Sequence, residues 1–138
     1  MTMKISIPTS DLLKGMPIVP GWYKATITKA WTAPSKDGDS INHWHEYTLE
    51  DKDTRTIERS FNSKVLGFLR PMLAAVSGKS EAEFVEELCK ANSPTLDIDD
   101  WEKFVGKKLQ VKIENQIFEG RQIPKVVDYT YYDYKTPF

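Results

Sequence analysis

Aromatic and basic residues are combined in one stretch from Gly21 to Trp31, with the sequence Gly-Trp-Tyr-Lys-Ala-Thr-Ile-Thr-Lys-Ala-Trp. Side chains of a β-strand point alternately to its two faces, so every second residue shares a surface. One face suits a protein core and carries Tyr23, Ala25 and Ile27. The other face carries Trp22, Lys24, Thr26 and Thr28. A ring can stack on a flat group and an amine can pair with an anion, so this second face is suited to non-covalent binding.

Two further stretches, Ile41–Glu50 and Thr54–Phe61, are predicted to be strands two and three. One face of strand two carries His43, His45, Tyr47 and Leu49. Its opposite face carries Trp44, Glu46 and Thr48. Strand three is rich in β-branched residues and arginine. The short polar turn at 51–53 predicts that the two strands form a hairpin.

After Ser63 the apolar residues repeat every three and four positions, which indicates helix. Pro71 lies inside this pattern and is expected to kink or split the helix. The sequence Ser80-Glu81-Ala82-Glu83 is a capping box that predicts a second helix to about Lys90. Its core side is predicted to carry Phe84, Val85, Leu88 and Cys89. Asp99 or Asp100 is expected to cap a short helix, in which Trp101 packs in the core beside Phe104.

Alternation returns at Lys107–Phe118, and a Glu119-Gly120 turn leads into a fifth strand, Arg121–Tyr129, whose Pro124 predicts an edge position. The sequence thus predicts an N-terminal arm at 1–20, a domain at 21–129 with a helical insertion at about 63–105, and a flexible C-terminal tail at 130–138. Three strands, a helical insertion and two strands are the order of a mainly β fold, the five-stranded OB-fold barrel. Simple α+β sheets share this order.

The chain has 138 residues, of which 40% are hydrophobic and 28% charged, as is typical of one globular domain. Its net charge of −1 argues against a strongly basic nucleic-acid-binding protein. The acidic excess lies in residues 78–104, with three Lys or Arg against eight Asp or Glu, and the segments on either side are mildly basic. Because screening limits electrostatic reach to about 10 Å, a local basic groove can coexist with this total charge.

The chain resembles the OB-fold single-stranded DNA-binding proteins of bacteriophages over roughly residues 18–130. The likeness lies in four stretches: the opening strand at 21–30 after a proline-rich arm, Ser35-Lys36-Asp37-Gly38 before an aromatic strand, the leucine-rich insertion after Phe61-Asn62, and Phe104–Ile113 with Val126–Tyr129. The resemblance implies non-specific binding of single-stranded DNA in phage DNA replication or recombination, without catalysis.

Single-strand binding needs cations that follow phosphates and rings that stack on unpaired bases, and an OB fold does this on the sheet face of strands two and three. We therefore expect the stacking residues to be Trp44, Trp31 and Phe61. The residues expected to hold phosphates are Lys29, Lys36, Arg55 and Arg59. Those expected to extend the groove are Lys24, Lys112 and Arg121. A bulge near Lys29 would decide whether Trp31 points toward DNA or into the core.

The sequence predicts neither catalysis nor a cofactor. No glycine-rich phosphate loop is present, and Asp97, Asp99 and Asp100 are explained as helix caps. His43 and His45 share a strand face, but zinc needs three or four ligands and only Cys89 could be a third. We therefore predict no metal site and no enzymatic activity, and we expect Cys89 to be an inert core thiol.

A single cysteine excludes an internal disulfide and suits a reducing compartment. No stretch has the length of a membrane span, and the N-terminus has no secretory signal. We expect a cytoplasmic protein without a membrane partner, located in the host cell cytoplasm if the protein is phage-encoded. Duplex DNA or RNA could use the same lysines and rings, and self-association stays open.

Two other classes of function stay open. The first is a protein-interaction module, a phage accessory factor that uses its aromatic tail or acidic helix as the contact surface. Cellular single-strand-binding proteins end in an acidic run closed by Pro-Phe, and this chain ends in Pro137-Phe138 with Lys135 interrupting the acidic residues. The second class is a small hydrolase with a cryptic site.

Overall fold

The computed structural model describes residues 3–135, which form five strands with a helical segment between the third and the fourth. The strands are β1 (Gly21–Pro34), β2 (Ile41–Leu49), β3 (Thr56–Asn62), β4 (Lys108–Phe118) and β5 (Arg121–Tyr131). The helices are α1 (Thr9–Leu12), α2 (Arg70–Val76) and α3 (Glu81–Ala91), with 3-10 helices at Leu66–Leu69 and Trp101–Phe104. The longest of these helices, α3, has 11 residues, and no helix in the described part of the chain could cross a membrane.

The five strands form one antiparallel sheet in the order β3-β2-β1-β4-β5. The long strand β1 holds the sheet together, because its first half pairs with β4 and its second half pairs with β2. Each strand prediction is confirmed to within two residues at either end. The turn between β4 and β5 has positive φ at Glu119 (50°) and Gly120 (77°), as a two-residue hairpin turn requires.

One face of the sheet, the core face, buries the apolar side chains that the alternation predicts. Its fully buried residues include Ala25, Ile27, Tyr47, Leu49, Leu109, Val111 and Ile113. The helix α2 covers this face with Met72 and Ala75, and Phe104 covers it from the 3-10 helix at Trp101–Phe104. The prediction that Trp101 packs beside Phe104 is confirmed, with ring centroids 5.3 Å apart. The opposite surface of the sheet is called the outer face below.

The edge strands β3 and β5 approach each other through side chains. The ring centroids of Phe61 and Tyr129 are 6.3 Å apart, and the Arg59 guanidinium lies 5.2 Å from the centre of the Tyr129 ring. Among residues 3–135 no backbone ladder joins β3 to β5, so the sheet is not closed. The predicted mainly β class is confirmed as a five-stranded antiparallel sheet, and closure into a barrel is not observed.

Arg55 anchors the N-terminal arm, which corrects the prediction that it holds a phosphate. Its side chain is buried and donates hydrogen bonds to the backbone carbonyls of Leu13, Met16 and Pro17 at 2.7–2.9 Å. The arm is tied to β4 as well, because the Asn115 amide binds both the N–H and the C=O of Ile18. Both terminal nitrogens of the guanidinium are thus engaged on the arm, and its Nε is buried without a partner among the described residues, so the group is not presented to a ligand.

We expect Arg55→Met to lower the free energy of unfolding by about 2 kcal/mol, because charged hydrogen bonds to the arm are lost and its carbonyls lose their donors. Urea denaturation followed by circular dichroism measures this. The matched control is Arg121→Met at the exposed hairpin turn, where a change within about 0.5 kcal/mol is expected. Equal midpoints for the two variants would show that Arg55 does not anchor the arm.

The helical segment is split near Pro71, as the sequence predicts. A 3-10 helix at Leu66–Leu69 is followed by α2 from Arg70, and Pro71 lies in the first turn of α2, where its missing N–H costs nothing. The capping box of α3 is confirmed, since Ser80 and Glu83 bond each other's backbone N–H. However, only Phe84 of this helix is buried, and Cys89 is exposed rather than a core thiol. A helix that packs through one side chain leaves the rest of its apolar side in solvent.

Part of the segment that was predicted to be a C-terminal tail is hydrogen-bonded to β4. Strand β5 continues to Tyr131, and the Gln110 side-chain amide donates hydrogen bonds to the carbonyls of Tyr131, Tyr132 and Tyr134. Gln110 is itself buried under this segment. The predicted Pro137-Phe138 motif lies outside the described residues.

Candidate nucleic-acid interface

Trp31 and Trp44 form a stacked pair on the outer face, called the tryptophan pair below. They are directly opposite in the register of β1 and β2. Their ring centroids are 5.9 Å apart and their planes differ by 4°, which is an offset stack. Both side chains are half-buried and both lie on the side of the sheet away from the core. Together they present a flat apolar surface to solvent on the middle strands of the sheet.

A β-bulge at Thr28 puts Trp31 on this surface. Ile27 pairs with Tyr47 on the core face, and after one extra residue Lys29 pairs with Glu46. The extra residue reverses the alternation for the rest of β1, because side chains alternate every residue. Without it Trp31 would point to the core face. The Thr28 hydroxyl donates to the Glu46 carboxylate at 2.8 Å, and this bond holds the bulge against β2.

Two carboxylates lie on the outer face, one of them on the same strand as Trp44. Glu46 and Glu58 face each other across β2 and β3. Glu46 is almost buried and lies 3.9 Å from the Lys29 amine, while Glu58 lies 3.2 Å from the amine of Lys14. The pKa of Lys14 is raised, chiefly by its hydrogen bond with Glu58. These pairs partly neutralise Lys29 and Lys14.

The predicted phosphate-holding lysines are spread along the outer face. Lys29 is exposed and next to the tryptophan pair, and its amine forms an ion pair with the Glu46 carboxylate. Lys36 is exposed in the loop between β1 and β2. Lys24 and Lys112 lie farther along, on β1 and β4. Arg121 lies at the end of the β4–β5 hairpin, where it borders the same cavity as Lys14, Met16 and Pro17 of the arm.

Phe61 and Arg59 belong to the core face of β3, so the structure removes them from the predicted interface. Phe61 is 3% exposed and packs on Tyr129, and it has no free face for a base. Arg59 pairs in register with His45, and its guanidinium covers the rings of Phe61 and Tyr129 at 4.8 and 5.2 Å. Both residues follow the alternation of β3, which runs from Thr56 without a bulge.

A buried polar layer lies behind the tryptophan pair. The His45 ring stacks on Trp101 with a centroid distance of 4.2 Å, and the Trp101 indole N–H donates to the Trp44 carbonyl at 2.9 Å. Burial, helped by the nearby His43, lowers the pKa of His45 from 6.5 to about 3, so the imidazole stays neutral. His45 Nδ1 lies 3.3 Å from the Tyr47 hydroxyl, which bonds the Tyr129 hydroxyl at 2.7 Å.

The phenols of this buried layer are protonated, and its histidines are packed among rings. Burial raises the pKa of Tyr129 to about 12 and also raises that of Tyr47, so both phenols keep their protons. Within residues 3–135 no group of three or more His, Cys, Asp or Glu side chains is arranged to hold a metal ion. His43 and His45 share a face as predicted, and aromatic rings, not ligands, surround them.

A second group of outer-face residues, which sequence reasoning only partly identified, lies on β1 and β4. In register, Trp22 is opposite Lys112, and Thr26 is opposite Lys108. The Tyr132 ring lies over this surface, 4.7 Å from the Lys24 amine and 5.4 Å from the Lys108 amine. The contact of Lys108 with Tyr132 depends on how the chain turns after β5.

No protein-family model matches the chain, and no curated protein matches it in sequence.

Proposed function

We propose that this protein binds single-stranded DNA without sequence preference, through the tryptophan pair and the cations around it. The observation that carries the proposal is the half-buried stack of Trp31 and Trp44 on the outer face. Two adjoining rings on a rigid sheet are a platform for unpaired bases, and stacking tolerates every base because each has a flat π-face. The activity is binding, and no step of chemistry is assigned to any residue.

The strand arrangement supports an OB-type fold, in which the outer face of strands two and three is the usual binding surface. The sheet has the order β3-β2-β1-β4-β5, and along the chain the helical segment lies between the third and fourth strands. Residues 57–58 of β3 and 123–124 of β5 line one cavity, and Phe61 contacts Tyr129 farther along. The two edge strands thus run in the same direction with their side chains in contact, and a barrel would close there.

The distribution of lysines supports a binding surface confined to the outer face, despite the negative net charge. The net charge is −1, but Lys29, Lys36 and Lys24 lie on or beside the outer face, away from the acidic helix α3. At moderate salt, charges interact over about 10 Å, so a phosphate near these lysines is little affected by α3. The role in phage DNA replication or recombination is proposed on the resemblance described above.

A titration of fluorescent oligo-dT at two salt concentrations tests the proposal. We expect an increase in anisotropy with quenching of tryptophan fluorescence, and an affinity that falls with salt at a log–log slope of about −2 to −3 if three to four phosphates are neutralised. Competition by duplex DNA and by oligo-U measures the preference for single strands and for DNA. Absence of binding at low salt would refute the proposed function.

A protein-interaction module is the second candidate, and one observation favours it. Val65, Leu66 and Phe68 follow one another closely in the segment between β3 and α2, and all three are at least 44% exposed. Exposed apolar clusters of this kind are common at protein contacts. A protein of this second class would show no salt-dependent affinity for oligonucleotides in the titration above.

A further inference from the structure

Three lysines on β1 and β4 form a cationic group on the outer face, called the lysine cluster: Lys24, Lys108 and Lys112. The structure shows no carboxylate within ion-pairing distance of their amines anywhere in residues 3–135. The acidic residue opposite Lys112 in register is Asp128, whose carboxylate accepts the backbone N–H of Tyr129. The lysine cluster therefore keeps its positive charge.

Three other lysines differ in this respect. The Lys29 amine lies 3.9 Å from the Glu46 carboxylate, and the Lys14 amine lies 3.2 Å from that of Glu58. Lys64, just after β3, lies 3.9 Å from Asp39. Lys36, in the loop that follows β1, is exposed and takes part in none of the ion pairs observed within residues 3–135. Cations without a carboxylate partner thus lie at both ends of β1, and the tryptophan pair lies toward the Lys36 end. A nucleic-acid strand needs both stacking and phosphate contacts, so it gains most by following β1 from the tryptophan pair to the lysine cluster.

Tyr132 holds two of these amines in place without neutralising them. Its ring lies against the amines of Lys24 and Lys108, and a ring attracts a cation through its quadrupole but carries no net charge. Its hydroxyl donates to the Glu50 carboxylate at 2.9 Å, and Gln110 fixes the backbone on either side. The two amines are therefore positioned before any ligand arrives.

We propose that the lysine cluster is a second subsite for the same single strand, which binds its phosphates while the tryptophan pair stacks its bases. The proposal rests on the proposed function and adds a path along β1. Trp22 lies at the far end of that path, on the outer face beside Lys112. Trp31 follows Trp22 by nine positions, a span of about 30 Å at 3.3 Å per residue. The strand bends between them at the Thr28 bulge.

The test compares two triple variants with the same change of net charge. The first is Lys24→Gln, Lys108→Gln and Lys112→Gln. The control is Lys79→Gln, Lys90→Gln and Lys103→Gln, three lysines of the helical segment. Binding of oligo-dT of twenty nucleotides is measured from low to moderate salt, with tryptophan quenching at saturation and the number of nucleotides covered on poly-dT. Circular dichroism and a urea titration check that each variant is folded.

The lysine-cluster variant should lower the magnitude of the log–log salt slope by about 2, because each phosphate contact contributes about 0.7 on a single strand. It should also cover fewer nucleotides, while tryptophan quenching at saturation stays as in the wild type. The control should keep the wild-type slope. The single change Lys108→Gln should lower the magnitude of the slope by about 0.7. This variant tests the subsite even if the triple variant is unstable.

A cluster variant with the same slope and the same coverage as the control would overturn the subsite. If the wild type still binds and Trp44→Ala still weakens binding, the proposed function survives that result. If the wild type does not bind at all, the proposed function itself fails, so the two failures are distinguishable.

Discussion

Replacing Trp44 by alanine should weaken the binding of oligo-dT by about 5-fold to 150-fold. The estimate follows from the free energy of stacking one base on an aromatic side chain, which is about 1–3 kcal/mol. Trp44 is on the outer face, half-buried, and stacked on Trp31 at 5.9 Å. Trp31→Ala should have an effect of the same order. Fluorescence anisotropy with labelled oligo-dT measures both affinities.

The matched control is Phe68→Ala, which removes an exposed aromatic side chain from the helical segment. Its affinity should stay within twofold of the wild type. Trp44→Phe keeps a ring at the site and should retain most of the binding. If Trp44→Ala changes the affinity by less than twofold, the outer face of β1 and β2 is not where bases stack.

The double variant should reveal that the two tryptophans act together. Their rings touch, so removing one also changes the surface that the other offers. The free-energy losses of Trp31→Ala and Trp44→Ala should therefore differ from additivity by at least about 0.5 kcal/mol, as is usual for residues in contact.

Acidification should destabilise the protein through His45, by on the order of 2–3 kcal/mol between pH 7.5 and pH 4.5. Burial lowers the pKa of His45 in the folded state from 6.5 to about 3. Between these two values the unfolded chain takes up a proton that the folded chain does not. The stability contributed by the neutral imidazole is therefore complete above pH 6.5 and is lost as the pH falls toward 3.

The comparison that isolates this effect is between the wild type and His45→Phe, which keeps a ring against Trp101 but cannot titrate. Urea denaturation at several pH values gives the free energy of unfolding of each protein. Carboxylates titrate in both proteins, so their contribution cancels in the difference. The variant should lose less stability than the wild type over this range, and parallel curves would show that His45 is not held neutral by burial.

Alternation alone was enough to predict the strands and most of the core. His45, Tyr47 and Leu49 were predicted on one face of β2, and all three are buried there. The capping box at Ser80 and the Glu119-Gly120 turn were equally predictable. These features depend on a residue and its near neighbours in the chain, so the sequence contains the whole signal.

The phosphate-binding residues were harder to predict because a charge does not reveal its partner. Arg55 and Lys29 are both cations, one just before β3 and the other on β1. In the structure Arg55 binds three carbonyls of the arm, about 40 residues earlier, and Lys29 lies beside Glu46 on β2. Contacts between distant segments of the chain decide which of these cationic groups can still bind a phosphate.

By itself, the sequence determined the five strands, the helical segment between the third and fourth, and the presence of rings and cations on the strand faces. The tertiary structure decided which rings meet. The bulge at Thr28 turns Trp31 outward beside Trp44, and the unbroken register of β3 turns Phe61 inward. The physical reason is that one inserted residue reverses the face of every residue after it, and only pairing with β2 shows where that residue lies.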